Sequence, residues 1–329
     1  MPNREVLLSG EAQTEVANGF NWRSFLQRNG TVCIFLLIVI VASFISSDFY
    51  SIQNSMNLVR QSSPTIIMAV GMLCVVLTGG IDLSVGSIFA LGGVIVALIA
   101  PKYGLPVAVL CALISGSIVG IGSGALVAYL RLPAFVITLA AMTVARGAAF
   151  ILTDGQPIMF DEASKPLSQF ASGYLWTVPY PVILTAAIVL VGALVLSFTS
   201  FGRLVKAVGS NEEAVRLSGV RVEGYVLGVY VISGALAAVA GLVSAGRTGM
   251  GAPNVGIGSE LQVIAAVVIG GASLMGGRGG VINSALGALT LAIIGNIMNL
   301  TNVPGYTQQV IMGVVIVFAV VLQKIQSGK

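Results

Sequence analysis

The chain has 329 residues, of which 28 are charged, 16 basic and 12 acidic. That is 9%, against roughly 25% in a soluble domain, while apolar residues reach 56% and the mean hydropathy is +0.99. So few charges cannot supply the polar shell of a soluble fold of this length, which assigns the chain to lipid. Histidine is absent, which excludes His-based triads, His general bases and His metal ligands.

Residues 1–30 are polar and mixed in charge, with Arg23 and Arg28 ahead of the first apolar run. No small-residue cleavage site follows the run Thr31–Ser47, so it reads as a signal anchor rather than a removed signal peptide. Ten apolar stretches approach the length of a spanning helix, about 20 residues each: 31–47, 63–79, 84–100, 105–129, 134–153, 180–198, 224–246, 261–277, 281–300 and 308–323. Several are short, and the 41 glycines predict broken or tilted helices. The expected fold is therefore an all-α integral membrane protein of about ten helices. It comprises one transmembrane domain over 31–323, an N-terminal tail over 1–30 and a C-terminal tail over 324–329.

With the N-terminus in the cytoplasm, eleven basic residues fall inside, four outside (Arg60, Lys102, Lys165 and Arg247), and Arg146 lies within a span. Positive-inside asymmetry favours this topology, which makes both termini cytoplasmic. Two connections are longer than a turn. Residues 154–178 form an outside loop, with Trp176 and Tyr180 suited to the interface, and residues 199–223 form a charge-dense cytoplasmic loop.

That cytoplasmic loop predicts a short helix. Asn211 caps it, Glu212 and Glu213 occupy its first turn, Arg216 follows, and Gly219 ends it. Ala214, Val215 and Leu217 give it an apolar side suited to a partner, although any long loop can carry a solvated helix.

The segment Gly79–Ser87 places Asp82 within or beside an apolar run. A carboxylate there costs a few kcal/mol unless it is paired or solvated. Either Asp82 or Ser84 caps the next half-helix, or a broken helix aims polar groups into a pathway; the two are compatible. Arg146 equally needs a reason, and pairing with Asp82 or snorkelling to the interface both supply one.

The stretches Val75–Gly93 and Val267–Ala288 both read as half-helix, glycine break, half-helix, the form of an internal repeat. Gly116, Gly120 and Gly124, at four-residue spacing, predict close helix packing. Asn296, Asn299 and Asn302 suit either hydroxylated solutes or neighbouring helices. Cys33, Cys74 and Cys111 read as small buried hydrophobes. The chain contains no G-x-x-x-x-G-K followed by Ser or Thr, so no P-loop hydrolyses nucleotide here. Its basic residues are juxtamembrane, which leaves nucleic-acid binding unsupported.

Four motifs resemble the membrane permease of bacterial sugar ABC importers of the ribose/xylose/arabinose class: AVGMLCVVLTGGIDLSVGS (69–87), PAFVITLAAMTVARG (133–147), GRLVKAVGSNEEAVRLSGV (202–220) and GSELQVIAAVVIGGASLMGG (258–277). The resemblance covers about residues 30–323. It implies the ten-helix permease fold of the larger, type II-like kind, set in the bacterial inner membrane. It implies a coupling helix of E-A-A-x-x-x-G type that seats in an ATPase subunit. Glu213, Ala214 and Gly219 keep that spacing, but Val215 replaces the second alanine, so only part of the pattern carries over. Implied partners are an ATP-binding subunit that carries ATP and Mg, a second permease subunit and a periplasmic sugar-binding protein. No cofactor or metal is implied on this chain. Asp82, Ser84, Arg146, Asn296 and Asn299 are candidates for the translocation path. The rival reading is an ion- or proton-coupled secondary transporter, against which stand the EEAVRLSG loop and the lack of paired intramembrane carboxylates.

Overall fold

The computed structural model describes residues 22–327. Of the expected tails, 1–21 and 328–329 lie outside this range, while α1 (Trp22–Ile45) and α13 (Gly305–Ser327) extend the terminal spans into the rest. A 3-10 turn, Ser47–Tyr50, leads to α2 (Ile52–Leu77), whose first turn is capped by the Ser51 hydroxyl accepting from Asn54 N. Then follow α3 (Val85–Tyr103), α4 (Leu105–Leu130) and α5 (Ala134–Thr153). The 154–178 loop is not irregular. It carries β1 (Ile158–Met159), α6 (Lys165–Ser172), β2 (Tyr174–Leu175) and the start of β3 (Val178–Pro179).

Next come α7 (Tyr180–Phe198), α8 (Ser200–Ser210), α9 (Glu212–Leu217), α10 (Val222–Thr248) and β4 (Met250–Gly251). Finally α11 (Ser259–Ile269) and α12 (Val281–Leu300) precede α13. β1 pairs antiparallel with β4, and β2 with β3 across a turn whose Trp176 is 96% exposed.

Seven of the described helices are long and apolar enough to cross a membrane, and the shorter apolar helices Gly30–Ile45, Ser259–Ile269 and Gly305–Phe318 occupy the other expected positions. The expected span 261–277 needs correction. Its helix stops at Ile269, and eleven residues reach only about 16 Å. Gly271, Gly276 and Gly277 then take left-handed φ values of +80°, +90° and +75°, conformations that glycine adopts without the Cβ penalty other residues incur. The non-helical chain between β4 and α11 lies against α3 and α5.

The core gathers around α2 and α10. Ile67, Met72, Leu73, Leu77 and Tyr230 are fully buried. Close approach of α10 to α4 rests on the predicted glycines: a Cβ at Gly116 would collide with Gly234 O, and one at Gly120 with Tyr230 O. In lipid, where apolar burial gains little, such backbone-to-backbone packing holds helices together. Large apolar side chains of α4 and α7, such as Ile118 and Leu190, point outward. Of the three cysteines only Cys74 is buried; Cys33 and Cys111 are half-buried.

Candidate functional site

The charged loop folds as its residues predict. The Asn211 side chain accepts from Ala214 N at 3.0 Å, and Gly219 ends α9 at φ +81°. Arg216 bonds Glu212 at 2.6 Å, one turn back, and Glu223 at 3.3 Å on the first turn of α10. These pairs stitch α9 to α10. Glu213 and Ala214 are exposed, and Leu217 is 80% exposed. No residue of α9 is buried, and its outward side has no partner among the described residues.

Behind α9 lies α8, capped by the Thr199 hydroxyl, which accepts from Gly202 N at 3.3 Å. Its Gly209 is pressed against the C-terminus of α2 and the α11–α12 break: a Cβ there would strike Leu77 O and meet Gly277 N. Gly277 N in turn donates to Leu77 O at 3.0 Å. The two glycine breaks of the proposed repeat therefore meet each other at the base of the charged loop. A cavity of about 250 Å³ opens beside this junction, lined by Thr78, Gly79, Gly80, Arg131, Arg216 and Tyr230 among others.

Asp82 is 1% exposed in the first break. Its Oδ1 accepts from Ser84 N at 3.0 Å and from Ser84 Oγ at 2.5 Å, and its Oδ2 accepts from Ser233 Oγ at 2.7 Å. Ser84 stands at the N-cap of α3 without a side-chain cap bond. Asp82 thus braces the break against α10 rather than capping α3 itself.

Arg146 is not its partner. The guanidinium donates to Pro253 O at 2.6 Å, Val255 O at 2.7 Å and Gly86 O at 3.0 Å. Pairing with Asp82 and snorkelling to the interface are both replaced by a third arrangement, a cation spent on carbonyls. Carbonyls outside regular structure need donors of their own, and Arg146 supplies them to the turn segment ahead of α11. Glu260, on the first turn of α11, stands beside Gly86.

Asn296 and Asn299 lie elsewhere, in a cleft of about 180 Å³ between α2, α11, α12 and α13 that contains neither Asp82 nor Arg146. Asn296 exchanges bonds with Asn54 at 2.8 and 3.0 Å, and Asn299 Oδ1 accepts from Gln308 Nε2 at 2.9 Å. The same cleft is lined by Gln61, Ser62, Thr65 and Gln262, which sequence reasoning missed. The available signal was uncharged polar side chains at the outer ends of two apolar spans. Among the described residues, no three acidic or cysteine side chains group as a metal site.

Comparison with known proteins places the chain in a family. The family model described as branched-chain amino acid transport system / permease component matches residues 54–320. The chain is 37% identical to the ribose import permease protein of Haemophilus influenzae, over 94% of this chain and 96% of that one. It is 36% identical to the galactofuranose transporter permease protein of Escherichia coli K12, over 88% and 87%. It is 32% identical to the xylose transport system permease protein of the same organism, over 92% and 94%. No solved structure matches. A match running from the second span into the last, on a bundle with two glycine breaks and an exposed capped loop helix, makes this chain a member of that transport-system permease family.

Proposed function

We propose that the chain is the membrane-spanning permease of an ATP-binding-cassette importer for a monosaccharide. The family description names branched-chain amino acids, whereas full-length relatives at 32–37% identity are permeases for ribose, galactofuranose and xylose. Similarity over nearly the whole chain outweighs the family's general title, and it favours a sugar.

The observation that carries the coupling part is α9. It is a capped, internally paired helix with exposed Glu213, Ala214 and Leu217. Asn211, Glu212, Glu213, Ala214, Arg216, Leu217 and Gly219 form the surface that seats in a separate ATP-binding subunit, which supplies ATP and Mg. The α9 end then faces the cytoplasm together with both termini, and the opposite end receives a periplasmic sugar-binding protein. A second permease copy completes the assembly in the bacterial inner membrane.

Closure of the ATPase pair moves α9, and Gly209 passes the motion to both glycine breaks. The bundle thereby alternates between outward- and inward-open states. In this scheme Asp82, Ser84 and Arg146 hold the moving backbone along the path, while Asn296 and Asn299 face the solute route.

The test is uptake of radiolabelled D-ribose and D-xylose into proteoliposomes that contain the complete importer. The expected result is vanadate-sensitive uptake that needs internal ATP. Glu213→Ala with Arg216→Ala should abolish it while the permease still folds, because exposed ion pairs contribute only about 0.5 kcal/mol each. Uptake driven by a proton gradient without ATP refutes the importer reading, and a double variant transporting at the wild-type rate refutes the coupling helix.

A further inference from the structure

The cleft between α2, α11, α12 and α13 has a lining without charge. Its polar groups are four carboxamides and two hydroxyls: Gln61, Gln262, Asn296, Asn299, Ser62 and Thr65. Two of the carboxamides are already committed, Asn296 to Asn54 and Asn299 to Gln308, and these bonds tie the rim together. Ser62 Oγ donates back to Val59 O at 3.0 Å. By contrast, the side chains of Gln61, Thr65 and Gln262 hydrogen-bond to no described residue, although all three face the cleft.

Position makes this unusual. Thr65 is five residues past Arg60, read as outside, and the third residue of the apolar span expected over 63–79, so it stands near the outer end of that span. An unpaired polar group facing lipid is costly, so polar side chains left open there belong on a wet, solute-carrying surface.

The lining also selects. Carboxamides and hydroxyls both donate and accept, which matches the hydroxyls of a neutral sugar. A zwitterionic amino acid would bring a carboxylate and an ammonium group, and the cleft has no Lys, Arg, Asp or Glu to meet either. The volume, about 180 Å³, falls below the roughly 300–1,000 Å³ of sites for drug-sized ligands and suits a small solute.

The geometry points to a solute station in this cleft, where Gln61, Thr65 and Gln262 hold a neutral polyhydroxylated solute during passage. The inference rests on the import reading above and adds to it both a site and a reason for preferring sugar over amino acid. A few uncharged hydrogen bonds give weak binding, as a pathway that must also release its cargo requires.

The purified permease in lipid nanodiscs, without ATPase or binding protein, provides the test. Saturation-transfer NMR is recorded with D-ribose, D-xylose and L-leucine. At least one sugar should give a saturable signal and leucine none. Thr65→Val and Gln262→Leu should each weaken sugar binding by about five-fold or more, and Thr65→Ser should restore it. Gln61→Glu, which adds a charge at an exposed position, checks any variant that fails to fold and should also weaken sugar binding.

Absence of a saturable sugar signal in the wild-type permease overturns the station. So do unchanged sugar binding in all three weakening variants, or leucine competing with sugar. The two readings fail separately. ATP-driven sugar uptake with unchanged binding in the variants removes the station and leaves the importer; sugar binding that depends on Thr65 and Gln262, with uptake that ignores ATP, does the reverse.

Discussion

Replacing Arg146 by methionine keeps an unbranched stem and removes every donor. The carbonyls of Pro253, Val255 and Gly86 then lose bonds of 2.6, 2.7 and 3.0 Å. Hydrogen bonds inside a membrane protein average about 0.6 kcal/mol and reach about 1.7, so three of them set a loss of roughly 2–5 kcal/mol. Part of this is offset because no guanidinium need be desolvated. The two carbonyls on non-helical chain are the decisive ones, since Gly86 lies in α3, where the helix itself offers its carbonyl a donor. At roughly 2 °C per kcal/mol for a chain of this size, the apparent melting temperature in detergent should fall by about 4–10 °C. Arg146→Lys should fall between, because an ammonium cannot fork to several carbonyls as a planar guanidinium does. Differential scanning fluorimetry of the purified permease measures both. If Arg146→Met melts with the wild type, the guanidinium does not hold the 253–255 segment. Exchanging the charges of Asp82 and Arg146 together should give no rescue over the single changes, as the two groups have separate partners.

Asp82→Asn should be mild, because an amide can accept from Ser84 N and turn its NH2 toward the Ser233 hydroxyl. Ser233→Ala strands Asp82 Oδ2 and should cost about 1–3 kcal/mol of stability in the same melting assay; the opposite order would refute the brace. Gly120→Leu should prevent assembly of α4 on α10, read as loss of monodisperse protein on size exclusion, since its side chain would enter the Tyr230 backbone. Gly209→Ala should lower ATP-driven uptake at least as much as the Glu213–Arg216 double change, because it parts α8 from Leu77 and Gly277; wild-type uptake would exclude that junction as the route of coupling.

Where sequence reasoning succeeded, the signal was local. An Asn followed by two Glu and closed by Gly places α9 to the residue, because capping is settled within one turn. Four-residue glycine spacing announces a close helix neighbour, although not that α10 is the neighbour. The spans follow from apolar length, with one failure: 261–277 stays apolar through its glycines, so hydropathy continues where the helix has ended. Arg146 invited a search for a countercharge, and its real partners are backbone carbonyls, which every residue carries and no residue type advertises. Gln61, Thr65 and Gln262 escaped for a related reason. Gln61 and Gln262 read as the polar ends of their spans and Thr65 as one hydroxyl in an apolar stretch, and only the packing of α2 against α11 and α12 makes them one surface.

The disposition of the intramembrane charges bears on what can pass. A fixed charge on a solute route would trap an opposite charge and demand a counterion for every step. Asp82 is closed off by Ser84 and Ser233, and the donors of Arg146 are directed at carbonyls, both outside the amide-lined cleft. The two costly groups are therefore used to fix irregular backbone, one at the first glycine break and one on the segment leading to α11. Those are the places where a helical bundle that must move cannot rely on its own helical hydrogen bonds. Motion entering at Gly209 reaches backbone held by a few side-chain bonds instead of a continuous helical ladder. A neutral solute on the same bundle meets carboxamides and hydroxyls that bind weakly and release, and it does so without disturbing either charge.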